Sequence, residues 1–243
     1  MHPASAILLD IEGTTTPLAF VTEVLFPYAR EHVREYLSSN LTAPGVREEV
    51  AQLVRLLEQE RPKGLLTPEG EIEPEADHVD SIVQYIFWLM DRDSKSTPLK
   101  SIQGRIWREG YARGELKSIV YEDVAPAFAG WNRTGKTVAI YSSGSVEAQK
   151  LLFSHTNAGD LTRFINAYFD TNVGSKLRAG SYAGIAKNLK LDPGDVLFIS
   201  DITAELDAAG ESGLQTLLCV RKGNRPQEPG NHRVTTSFEE LEL

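Results

Sequence analysis

Apolar residues fall along this chain in two rhythms. Short unbroken runs, Ile7-Leu8-Leu9, Thr137 to Tyr141, Ala167 to Phe169, Val196 to Ile199 and Gln215 to Val220, each give way to polar or glycine-rich residues. Runs of that length, apolar on both faces, predict strands buried inside a parallel sheet. Between the later runs lie segments with apolar positions at helical spacing, Val146 to His155, Ser181 to Leu189 and Thr203 to Ser212. Strands alternating with helices predict an α/β fold, a doubly wound parallel sheet with right-handed crossovers. The stretch from Gly223 to Thr235, rich in Pro, Gly and Asn, predicts a surface loop before a short last helix.

The first run ends at Asp10 and the second begins near Thr137, which is about a hundred residues more than one crossover helix needs. The insert, roughly Leu18 to Tyr121, has a helical texture. Phe20 to Leu37, Gly45 to Glu60, Asp80 to Asp91 and Leu99 to Ala112 repeat apolar residues at helical spacing, as in Val46, Val50, Leu53, Val54 and Leu57. Val79 to Trp88 is apolar enough to suit a buried strand as well. Pro62-Lys63-Gly64 and Thr67-Pro68-Glu69-Gly70 mark turns. The expected organisation is an α/β core of residues 1–17 and 122–243, with 18–121 an inserted helical cap domain above the sheet. The aromatic residues of the insert, such as Phe20, Tyr85 and Trp107, read as its core.

With 41% hydrophobic and 24% charged residues, the 243-residue chain has the composition of a globular protein with ample length for a core. Its net charge is −9 and its Lys and Arg are scattered, so neither nucleic acid nor an anionic membrane is expected as a partner. The single cysteine, Cys219, excludes an internal disulfide framework and a thiolate metal cluster, and its apolar surroundings predict a buried strand position. The five histidines form no i, i+4 pair of the kind that binds zinc on a helix. No basic leader precedes a long apolar run and no window approaches ~18 apolar residues, so a cytoplasmic protein is expected. No strand is followed by G-x-G-x-x-G, and G-x-x-x-x-G-K-[ST] is absent.

The chemistry concentrates where the apolar runs end. Ile7-Leu8-Leu9-Asp10-Ile11-Glu12-Gly13-Thr14-Thr15-Thr16-Pro17 delivers two carboxylates into a hydroxyl-rich loop that turns at Gly13, so Asp10 and Glu12 can flank one bound group. Tyr141-Ser142-Ser143-Gly144-Ser145 ends a strand in hydroxyl residues directly before a helix, a plausible phosphate seat, although Ser145 is also a good helix cap. Thr171-Asn172-Val173-Gly174-Ser175-Lys176 brings a lysine, and Ser200-Asp201-Ile202-Thr203-Ala204-Glu205 brings an acid with a second acid one helical turn on. All four sets fall at the carboxyl ends of parallel strands, where such sheets bind ligands. Two carboxylates beside a phosphate suit Mg²⁺, and a carboxylate nucleophile attacking a phosphoryl group needs that group's charge neutralised.

The order Asp-x-[Asp/Glu]-Gly-Thr, Ser, Lys, Asp resembles the haloacid dehalogenase superfamily of aspartate-nucleophile phosphatases over essentially all of the sheet domain. The superfamily's second acid is usually Asp, and here it is Glu12. DIEGTTTP, YSSGSVEAQKLLF, FDTNVGSK and SDITAELDAA, with LFPYAREHV and IQGRIWREGYARGEL in the insert, are similar to the superfamily's enolase-phosphatases, the acireductone synthase family of methionine salvage. The resemblance implies a small phosphorylated substrate, 2,3-diketo-5-methylthiopentyl-1-phosphate, enolised and then dephosphorylated by a monomeric enzyme with Mg²⁺. By motif it implies Asp10 as nucleophile and metal ligand, and Glu12 as metal ligand through its backbone carbonyl, with its side chain free for acid–base work. Ser142 and Ser143 then hold the phosphate, Lys176 neutralises it, and Asp201 completes the metal site. Glu205 orients a metal-bound water or Lys176. The enolising base stays open among a metal-bound water, Glu12 and a cap residue. Two rivals remain: a simple phosphomonoesterase without an enolase step, and a phospho-accepting switch domain, which the separation of the acids onto the first and fourth strands disfavours.

Overall fold

The computed structural model describes residues 3–60, 66–67, 70–71 and 79–241. The predicted turn at Pro62-Lys63-Gly64, Pro68 and Glu69 of the second turn, and His2 and His78 lie outside the described residues. The chain divides into two compact units, Met1–Val24 with Gly114–Leu243, and Leu25–Arg113. Both divides fall a few residues inside the 18–121 span read from the sequence.

The first unit opens with β1 (Ala6–Leu9), all four residues fully buried, and a single turn α1 (Leu18–Phe20) running into a π-helical segment, Val21–Leu25, whose last residue begins the second unit. The second unit holds α2 (Phe26–Asn40), α3 (Pro44–Glu60), a two-residue pair β2 (Leu66–Thr67) and β3 (Gly70–Glu71), α4 (Val79–Asp91) and α5 (Thr97–Ala112). The chain returns to the first unit with α6 (Val124–Arg133), β4 (Thr137–Tyr141), α7 (Val146–Ser154), β5 (Ala167–Phe169), α8 (Ala179–Leu189), β6 (Val196–Ser200), α9 (Thr203–Glu211), β7 (Gln215–Cys219) and β8 (Arg233–Thr235).

The sheet order is β5-β4-β1-β6-β7-β8 with every pairing parallel. The predicted doubly wound α/β class therefore stands. From β1 the chain builds outward in both directions, so β1 sits at the switch point where such sheets open a ligand crevice. Its core joins Leu8, Tyr141, Phe169, Tyr182, Phe198 and Leu206 from both strands and helices. Cys219 is buried in β7 as expected, and burial pushes its thiol up to about 11.

Several elements differ from expectation, each for a physical reason. α4 is a helix throughout, and its all-round apolar character reflects burial of Ile82, Val83, Tyr85, Ile86 and Leu89 in the core of the second unit. The predicted helix Phe20 to Leu37 is broken into α1, the π-helical turn and α2, with Pro27 in the first turn of α2, where its missing N–H costs no helical bond. α6 carries Pro126 in its own first turn and buries Val124, Phe128 and Trp131. β8 occupies part of the predicted C-terminal loop. Only Thr235 of its three residues is buried, so it leaves no apolar run to read.

Candidate active site

Parallel register sets the site. Leu9 lies between Ile140 of β4 and Ile199 of β6. Asp10 follows Leu9 directly, its amide donating to Ile199 O at 3.0 Å, while β4 ends at Tyr141 just before Ser142 and β6 ends at Ser200 just before Asp201. The carboxyl end of the sheet thus aligns the predicted residues of three strands before any side chain is considered. Lys176 reaches the same place from the loop after β5.

The loop after β1 is wound tightly. The amides of Thr14, Thr15 and Thr16 all donate to Ile11 O at 2.9–3.2 Å, and Gly13 N donates to Thr16 O at 2.7 Å. Thr15 Oγ1 donates back to Asp10 O and Ile11 O at 3.3 and 3.2 Å. Gly13 has φ +73°, and a β-carbon there would lie 2.7 Å from Asp201 Cγ. Only glycine permits both the backbone and the close approach of the two acidic loops. Asn224 Nδ2 holds Gly13 O at 2.9 Å, and Arg221 Nε holds Thr14 O at 3.3 Å. Arg221 is itself fixed by Asp123, whose Oδ2 accepts from Arg221 Nη1 at 2.7 Å, Phe238 N at 2.6 Å and Ser237 Oγ at 3.1 Å.

At the centre, Lys176 Nζ lies 2.6 Å from Asp10 Oδ1 and 2.7 Å from Glu205 Oε2. Asp10 Oδ1 also accepts from Ile11 N at 2.8 Å. Both bonds fall on Oδ1 and fix the carboxylate plane. Ser200 Oγ donates to Glu205 Oε2 at 2.9 Å and accepts from Ile202 N at 3.2 Å. The side chains of Lys176, Asp10 and Glu205 are 10%, 8% and 13% exposed, so these contacts work in a strongly desolvated setting.

Burial alone would lower the Lys176 ammonium, but Asp10 and Glu205 outweigh it and hold the group above its ordinary value. The Asp201 carboxyl is pushed up to about 7 by burial and then by Asp10 and Glu205, with Lys176 opposing. Glu205 is raised for the same first reason, burial, followed by Asp10. Asp10, Asp201 and Glu205 therefore share one lysine, and the negative charge is in excess.

Ser142 is buried at the end of β4, its Oγ accepting from Gly144 N at 3.2 Å, and Ser143 follows it half-buried. Ser145 caps α7 as predicted, accepting from Ala148 N at 3.2 Å. Glu12 is half-buried in the turn between Asp10 and Gly13. The structure brings Asp10, Lys176 and Glu205 into contact, packs Asp201 against Gly13, and sets Ser142 on the neighbouring strand end. Sequence reasoning missed Ser200, Asp123, Arg221 and Asn224. Only Ser200, directly before Asp201, carried a signal in its position.

An aspartate at the end of an interior parallel strand, ion-paired to a loop lysine beside a second buried acid, defines the class of haloacid dehalogenase-like hydrolases, and residues 4–213 match that family. Enolase-phosphatase E1 of Synechococcus elongatus is 47% identical over 98% of this chain and 97% of its own. That of Drosophila mojavensis is 46% identical over 92% and 88%. The crystal structure of the UTR4 protein (unknown transcript 4 protein) of Saccharomyces cerevisiae superposes with a TM-score of 0.78 at 34% identity, covering 98% of this chain and 100% of that one. The chain belongs to the enolase-phosphatase E1 family of haloacid dehalogenase-like hydrolases. It is an enzyme of the phosphatase type. Among the described residues no helix is long and apolar enough to cross a membrane.

Proposed function

We propose that this chain is a bifunctional enolase-phosphatase of methionine salvage. It converts 2,3-diketo-5-methylthiopentyl-1-phosphate to the acireductone 1,2-dihydroxy-3-keto-5-methylthiopentene and phosphate. The observation that carries the phosphatase half of the reading is the 2.6 Å ion pair between Lys176 Nζ and Asp10 Oδ1 at the carboxyl end of β1; the enolase half is supported by the 47% identity to an enolase-phosphatase E1 along nearly the whole chain. Enolisation comes first: a proton leaves C1, the C1–C2 double bond forms and the C2 carbonyl oxygen takes up a proton, giving the enol phosphate. Asp10 Oδ2 then attacks phosphorus in line, the P–O ester bond breaks, and its electron pair passes to the C1 oxygen, which takes up a proton. Water then attacks the aspartyl phosphate, phosphate leaves, and the Asp10 carboxylate is restored. Lys176 balances charge on the phosphoryl oxygens and holds Asp10 in its attacking orientation. Ser142 and Ser143 bind the phosphate through their hydroxyl and backbone donors. Glu205, bonded to Lys176 and to Ser200, keeps the ammonium in place.

The donor set fits Mg²⁺. Among the described residues no three His, Cys, Asp or Glu side chains form a metal cluster, but buried acids in excess over one lysine suit a hard cation held by two carboxylates and a carbonyl. Asp10 and Asp201 would hold it with the backbone carbonyl of Glu12. When bound, it would supply charge neutralisation at the phosphoryl group. Residues 18–121 are assigned as the cap domain and 1–17 with 122–243 as the phosphatase core. Acidic net charge and a lone buried cysteine suit a cytoplasmic enzyme, which we take to act as a monomer.

The test incubates protein and Mg²⁺ with the diketo phosphate while following enol absorbance and released phosphate. Both signals are expected. Phosphate without an enolised product would make the protein a simple phosphomonoesterase, and neither signal would overturn the reading.

A further inference from the structure

Three consecutive backbone carbonyls, those of Gly174, Ser175 and Lys176, each accept a hydrogen bond from a side-chain hydroxyl. Tyr141 Oη donates to Gly174 O at 3.0 Å, Ser181 Oγ to Ser175 O at 2.7 Å and Tyr182 Oη to Lys176 O at 2.8 Å. Tyr141 and Tyr182 are fully buried and Ser181 is buried. We propose that these hydroxyls form a cradle that fixes the backbone from which Lys176 reaches Asp10, making Tyr141, Ser181 and Tyr182 positioning residues for the phosphoryl-transfer step. The inference rests on the reading above that Lys176 serves the transferring phosphoryl group.

The need for such a cradle comes from the lysine itself. Its four-carbon stem is flexible, and its chain segment is a loop with no strand or helix ladder to hold it. Yet its ammonium must sit within hydrogen-bond reach of both Asp10 and Glu205. Anchoring Lys176 O, together with the two carbonyls before it, removes backbone freedom that the stem would otherwise convert into a misplaced charge. The loop also packs where only glycine fits: Gly174 has φ +134°, and a β-carbon there would run into the Ser181 side chain.

The donors are rigid. The Tyr182 ring stands edge-on to Tyr141 at 5.5 Å and 82°, and lies 5.0 Å from Phe198. Tyr141 ends β4 and Phe198 lies in β6, so the two rings that hold the loop are tied to strands flanking β1. Burial, with the Glu205 charge nearby, raises the Tyr182 hydroxyl far above its ordinary value, and burial raises that of Tyr141. Both therefore stay protonated and act as donors at any working pH.

The experiment is a double-mutant cycle with the diketo phosphate and Mg²⁺, plus one readout independent of turnover. Tyr182→Phe keeps the ring packing and removes one donor; Tyr182→Phe with Ser181→Ala removes two. We expect kcat to fall about tenfold in the first and about a hundredfold in the second, with KM within about twofold, since misplacement of about an ångström costs that much. In a Lys176→Ala background neither change should lower kcat further. The independent readout is the ¹H–¹⁵N signal of the Lys176 ammonium, assigned by its loss in Lys176→Ala, which should broaden or vanish in the cradle variants while thermal unfolding stays cooperative. Equal losses of kcat in both backgrounds, or an unchanged ammonium signal, would overturn the cradle. A Lys176→Ala enzyme of normal activity would instead overturn the assignment of Lys176.

Discussion

Replacing Lys176 by alanine removes the cation that Asp10 and Glu205 share. At 2.6 and 2.7 Å each contact corresponds to about 6 kcal/mol of Coulomb attraction at an effective dielectric constant near 20. Burying the ammonium consumes much of that gain, so the figure is a ceiling on what the pair contributes. What reaches the rate is the portion acting on the phosphoryl oxygens in the transition state. Loss of one preorganised donor of this kind costs about 3 kcal/mol, or roughly 150-fold in kcat/KM. The variant should still fold, because the Glu205 carboxyl left behind, already raised by burial, can take up a proton. The assay is kcat/KM for phosphate release from the diketo phosphate with saturating Mg²⁺, alongside urea unfolding. A folded variant within about threefold of the parent would refute the argument, since the loss of such a donor typically costs about a hundredfold or more.

Removing free metal with a chelator should stop phosphate release; undiminished turnover in metal-free buffer would contradict the assignment of Asp10 and Asp201 as its holders. Asp123→Ala strips Arg221 of its anion while that guanidinium stays buried, and should lower the unfolding free energy by about 3–5 kcal/mol, read from the urea midpoint; a loss below about 1 kcal/mol would mean that Arg221 finds water or another partner. Metal-free protein should lose stability as pH rises from about 5 to 7. The folded Asp201 carboxyl, pushed up to about 7, keeps a proton that the unfolded chain has already lost, and the rise in Glu205 acts in the same direction. Lys176, raised from an already high value, contributes nothing to that window. Added Mg²⁺ should flatten the slope, and a metal-free midpoint that climbs with pH would contradict it.

The sheet was legible because β1, β4, β5, β6 and β7 are apolar runs bounded by turn residues, a pattern that only a doubly covered parallel sheet rewards. The placement of Asp10, Ser142 and Asp201 at the carboxyl end of the sheet was legible for the same reason, each standing within two residues after such a run. Lys176 was visible through its loop motif, but not the choice of Asp10 and Glu205 as its partners, because several acids compete for it in sequence. The supports were hidden. Arg221 reaches Thr14 across 207 residues and Asn224 reaches Gly13 across 211, the first from just before and the second from within the stretch that reads as a surface loop. β8 was hidden because an edge strand of three residues with one buried position has no periodicity. α6 lies where the insert returns to the core, and its proline and glycine weaken a helical reading although both are tolerated there.

The central claim is that Asp10 Oδ2 forms a covalent bond to phosphorus. The most direct measurement quenches the enzyme in acid during turnover of the diketo phosphate, reduces the trapped acyl phosphate with borohydride and locates the product by peptide mass spectrometry. The account predicts that Asp10, and no other acid, is converted to homoserine, and that Asp10→Asn gives neither the trapped species nor free phosphate. Conversion at Asp201 or Glu205, or phosphate release at the parental rate by the Asp10→Asn protein, would contradict it.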